Sequence, residues 1–79
     1  MKPTHVYVLW ERFKYRKEAT RMLGVYATKR VAQKALGKAA KSSLKDGFIH
    51  KKEHDKISGH CDDVDYSFWL LKSPLLVEA

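Results

Sequence analysis

Two stretches of this chain, HVYVLW at 5–10 and YSFWLL at 66–71, are apolar at both alternating sets of positions. Successive side chains of a strand point to opposite faces, so each stretch presents apolar surface above and below its sheet. Both faces then need a cover, and the rest of the chain offers one amphipathic helix. In the first strand, placed from Thr4 to about Tyr15, Val6, Val8 and Trp10 share one face, and Tyr7, Leu9 and Phe13 the other. A second strand, MLGVYA from Met22 to Ala27, holds Gly24 as a candidate bulge. It pairs with the first as an antiparallel hairpin around YRKEATR.

The helix is expected from about Thr28, a good N-cap residue, to Leu44, with Asp46-Gly47 as its stop. Val31, Ala32, Ala35, Leu36, Ala39 and Ala40 make one broad, smooth face suited to close packing on a sheet. Arg30, Lys34, Lys38, Lys41 and Lys45 lie together on the opposite side. A third strand from Gly47 to about Lys52 and a last from Tyr66 to Leu71, ended by Ser73-Pro74, complete the order. The expectation is an α+β domain, strand-strand-helix-strand-strand, with a mostly antiparallel sheet and one helix on one face. The ordered part is placed at about 4–73, with 74–79 as a tail. The face expected to remain uncovered is that of Tyr7, Leu9 and Phe13. Its candidate covers are a second copy of the chain, the tail residues Leu75-Leu76-Val77, or a ligand.

Seventy-nine residues make one small domain with little core to spare. Cys61 is the only cysteine, so an intrachain disulfide is ruled out and a reducing, cytoplasmic setting is expected. The N-terminal sequence lacks the pattern of a signal peptide, and no apolar run approaches a membrane span.

VYVLW near the start, LGVYAT running into a helix, and then Asp46-Gly47-Phe48 resemble small uncharacterised proteins of bacteria and their phages. Those chains place a VYVL-type strand first, a GVY-S/T strand running into a helix next, and a D/E-G-F strand after it. The resemblance covers roughly the first fifty residues. It implies the same fold and, for a phage-encoded chain, a setting in the host cytoplasm; it supplies no activity. Such chains usually begin the helix with acids, whereas here the first turn is Lys29-Arg30. Cations at a helix N-terminus oppose the macrodipole, at about 0.3–1 kcal/mol each.

Charge is unevenly spread within the net +7: Met1 to Lys45 holds twelve Lys/Arg against two acids, and Asp46 to Ala79 four Lys against seven acids. Basic residues alternate with aromatics in Arg12-Phe13-Lys14-Tyr15-Arg16-Lys17, followed by Arg21. Cations neutralise phosphates, and aromatic faces stack on unpaired bases. The expected interface comprises Arg12, Lys14, Tyr15, Arg16, Lys17 and Arg21 on the hairpin, with Lys29, Arg30, Lys34, Lys38, Lys41 and Lys45 on the helix. The helix stripe carries no Asn or Gln for base edges, and Gln33 lies off it, so RNA or single-stranded nucleic acid fits better than a DNA major groove. The alternative is a protein-binding inhibitor or adaptor, such as an anti-defence protein, docking the same surface on an acidic or nucleic-acid-handling host protein.

FIHKKEHDKISGHCDDVD, 48–65, concentrates His, Cys and Asp and invites a catalytic or metal reading. His50-Lys51-Lys52-Glu53-His54 matches H-x-x-E-H, but that motif works on a helix, and this segment starts as a strand. His54, His60 and Cys61 remain minority metal candidates; no spaced Cys/His set supports structural zinc. Asp62-Asp63-Val64-Asp65 lacks the glycine and terminal Glu of a calcium loop. The expectation is a binding module without catalytic residues or cofactor. Beyond about Lys52 the segment, through Ser58-Gly59 to Asp65, is expected to be the long connection to YSFWLL.

Overall fold

The structure, a computed structural model, describes residues 5–74. Thr4 and the tail residues Leu75, Leu76 and Val77 lie outside the described residues. The elements run β1 (His5–Lys14), β2 (Glu18–Tyr26), α1 (Lys29–Ser43), β3 (Phe48–Lys52), β4 (Lys56–Cys61) and β5 (Val64–Pro74). The strands form one antiparallel sheet in the order β2-β1-β5-β4-β3. The α+β architecture with one helix on one face is therefore as expected. The chain has one strand more than anticipated, because KISGHC is not a connection but β4.

β4 forms through its partners. Ile57 pairs with Phe68 and inserts into the core, while Cys61 pairs with Val64 across a two-residue turn. Both turn residues have positive φ, Asp62 at 50° and Asp63 at 64°. Positive φ at both central positions is what a type I′ hairpin requires, and Asp tolerates it. The β1–β2 hairpin is also tighter than expected, the strands continuing to Lys14 and Glu18 around a turn at 15–17. Along β2, Leu23 is extra: Leu9 pairs with Gly24 and Trp10 with Met22. The bulge thus sits beside Gly24, as its sequence suggested.

Thr28 caps α1, its hydroxyl accepting from the Val31 amide at 3.3 Å. Ala32, Leu36 and Ala40, one turn apart, face the sheet, and Leu44 follows at the C-cap. They close on Leu9, Ile57, Phe68 and Leu70, forming the core. Gly59 lies beneath Leu44; a Cβ there would meet Leu44 Cδ1 at 2.6 Å and also strike the Phe48 carbonyl. A side chain at that position would lift the helix end off the sheet.

The helix covers the face of Tyr7 and Leu9, not that of Val6, Val8 and Trp10. The uncovered face is the reverse of the one expected. Small helix side chains fit over Leu9, Phe68 and Leu70, whereas the two indoles keep an edge toward water on the other side.

Candidate nucleic-acid interface

Nothing acidic occurs in sequence from Lys29 to Lys45, and the first helical turn has no acid to complement the macrodipole. With Ala32, Leu36 and Ala40 turned to the sheet, Arg30, Lys34, Lys38 and Lys41 point outward and are exposed; Lys45 continues the row just past the C-cap. At 1.5 Å per residue the row extends about 22 Å. Among the described residues none of these cations, nor Lys29, forms an ion pair.

Two of the hairpin cations, Arg21 and Arg12, behave otherwise. Arg21 Nε donates to Glu11 Oε1 at 2.8 Å, and Glu11 is only 3% exposed. Glu11 alternates with Leu9 onto the helix side, so a carboxylate enters the margin of the core and Arg21 neutralises it. Arg12 and Lys14 point to the opposite side of the sheet. Arg12 pairs with Glu18 at 3.3 Å and its guanidinium lies 5.9 Å from the Trp69 ring centroid. Lys14 stands between Glu18 and Asp65 in the strand register. At the turn, Arg16 lies over the exposed Tyr15 ring, 5.5 Å from its centroid, and Lys17 is exposed.

The twelve residues singled out from sequence are thus divided. Five of the six in the helix region, Arg30, Lys34, Lys38, Lys41 and Lys45, form one row; Lys29, three residues before Ala32, lies at the sheet side of the helix start, near Tyr7 and Leu70. Tyr15, Arg16 and Lys17 form a small tip at the same end of the sheet as the helix C-terminus but at the other edge. Arg12 and Lys14 lie on the far side of the sheet, and Arg21 is occupied by Glu11. Sequence reasoning missed that pair, although the alternation Leu9-Glu11-Phe13 marks Glu11 as inward-facing.

The His/Cys segment is also dispersed. His60 and Cys61 are successive on β4 and face opposite sides, with Cys61 packed against the core and His60 Nδ1 2.8 Å from Asp65 Oδ1. His50 and His60 rings stand 6.4 Å apart, while His54 lies in the β3–β4 turn at the other end of β4. Glu53 pairs with Lys51 at 3.5 Å. Among the described residues no group of three His, Cys, Asp or Glu side chains is placed to hold a metal ion. Desolvation, reinforced by the neighbouring Asp62 carboxylate, pushes the Cys61 thiol above its usual range, which disfavours the thiolate a nucleophile or metal ligand needs. No helix among the described residues is long and apolar enough to cross a membrane.

No family model, no curated protein and no solved structure matches the chain.

Proposed function

We propose that this protein is a non-catalytic binding module that holds single-stranded or structured RNA against the outer face of α1. The observation that carries this reading is the row Arg30, Lys34, Lys38, Lys41 and Lys45, exposed and without an ion pair among the described residues. Cations with no internal partner give up little on meeting phosphates, and each contact releases condensed counterions. The row has no base-reading amide, so it positions a backbone and does not select a sequence. Tyr15 at the hairpin tip, with Arg16 over it, adds a platform for one unpaired base.

The test is fluorescence anisotropy with labelled single-stranded RNA across a salt series. Binding should weaken steeply with salt, and Lys34→Glu/Lys38→Glu should lower affinity about tenfold or more while flattening the salt slope by roughly 1.4. No measurable RNA binding at low salt sinks the reading. An RNase-resistant protein complex lost in the same double variant would then assign the row to an acidic protein surface instead.

A further inference from the structure

The sheet face turned away from α1 is ordered into rows. Val25, Val8 and Leu71 form one row across β2, β1 and β5; Met22, Trp10, Trp69 and, on β4, Lys56 form the next. Beyond them the register places Thr20, Arg12, Ser67 and Ser58 together, and last Glu18, Lys14, Asp65 and His60. Met22 is 55% exposed, Val25 51% and Leu71 50%, while Val8 is 9% exposed and both indoles are partly covered, so the apolar rows stand open at those three side chains.

Most charges of this face are balanced within it, Lys14 standing opposite Glu18 and Asp65 in the register; Lys56, beside Trp69, has no ion pair among the described residues. Arg12 is held by Glu18 and lies over Trp69, and His60 is held by Asp65. A polyanion therefore meets little net positive charge here, and the rings at its centre, Trp10 and Trp69, are only partly exposed, with Arg12 lying over Trp69. An apolar, electrically balanced surface suits a partner of the same character.

Area and symmetry point to a second copy. Three strands of nine to eleven residues and two of five and six, at about 3.3 Å per residue and about 4.8 Å between strands, make a face of about 650 Å². That is toward the lower end of what each partner contributes to a standard interface. A two-fold axis between two such sheets, parallel to the rows and midway between the Val8 and Trp10 rows, lays each apolar row on the other and leaves the Glu18-Lys14-Asp65-His60 row at the margin. The only hydrophobic core of the described chain lies between the sheet and α1, and a domain this small gains much from a second one.

We propose that this face packs against the same face of a second copy of the chain, giving a helix-sheet-sheet-helix dimer with both α1 helices outside. Two cationic rows then face away from each other. The proposal stands independently of what the helix row binds.

Light scattering coupled to size exclusion, at about 100 µM where a micromolar dimer is saturated, should give twice the 9.2 kDa chain mass. Met22→Glu/Leu71→Glu should return the mass to a single chain with an unchanged far-ultraviolet spectrum, both side chains being half exposed in the single copy. In the unaltered protein, dilution through the transition should red-shift the emission of Trp10 and Trp69, a readout that needs no variant. A single-chain mass for the unaltered protein overturns the proposal, as does a dimer that survives Met22→Glu/Leu71→Glu. If removal of 75–79 converts a monomer into a dimer, the tail is the occupant and the proposal is also overturned. Lys34→Glu/Lys38→Glu should leave the mass unchanged, so failure here is distinguishable from failure of the RNA reading.

Discussion

The outer face of α1 and the β1–β2 hairpin are both rich in cations, yet they use them differently. On the helix, Arg30, Lys34 and Lys38 meet no carboxylate among the described residues. On the hairpin, Arg21 neutralises a buried carboxylate and Arg12 is shared between Glu18 and Trp69. A basic stretch of sequence is thus either a surface looking outward or a set of supports looking inward. Backbone periodicity separates the two: the helix turns its cations to one side, while the strands deal theirs to both faces.

The largest expected contrast is in binding. Lys34→Glu/Lys38→Glu should cost about tenfold or more in RNA affinity, whereas Lys14→Glu/Lys17→Glu should cost about threefold or less. Equal losses in anisotropy titrations would erase the distinction between the regions. Stability should invert the order. Arg21→Ala leaves the Glu11 carboxylate without its partner and should destabilise by about 2 kcal/mol, which for a domain of this size lowers Tm by roughly 8–16 °C. Its RNA affinity should stay near that of the unaltered protein. A Tm within a degree or two of the original would show that Glu11 does not depend on Arg21.

Smaller is the effect of Gly37→Ala on the helix. A Cβ at Gly37 meets nothing within 4 Å, so the change should stabilise by about 1 kcal/mol through helix propensity alone. Urea denaturation checks it, and a loss of stability would mean the space is occupied. Smallest is Arg12→Ala: its ion pair is exposed and its ring contact is distant, so a cost below about 1 kcal/mol is expected.

Much of the helix was legible because its signals are local. Thr28, the Ala/Leu face and Asp46-Gly47 specify start, side and stop within one segment. β4 was not legible, because KISGHC has one strong strand former, Ile57, among Ser, Gly and His. Its extended state comes from pairing with β5 and from Gly59 admitting Leu44. Asp62-Asp63 is a weak hairpin signal, since neither residue is the Gly or Asn that turns with positive φ favour most. For the candidate interface, the helix row was readable from spacing alone, and the division of the hairpin residues was not. That division follows from the β2 bulge and from which sheet face the helix covers.

By itself the sequence determined that a sheet with two apolar faces would form and that one helix with a cationic back would cover part of it. It did so because 3.6-residue and two-residue periodicities are written in neighbouring residues. Only the tertiary structure decided that Leu9, Phe68 and Leu70 lie under the helix and that Val8, Trp10 and Trp69 lie outside. Both alternating sets in these strands are apolar, so hydrophobicity favours neither. Close packing of a small-residue helix selects the leucine and phenylalanine side, and leaves the bulky indoles at the surface.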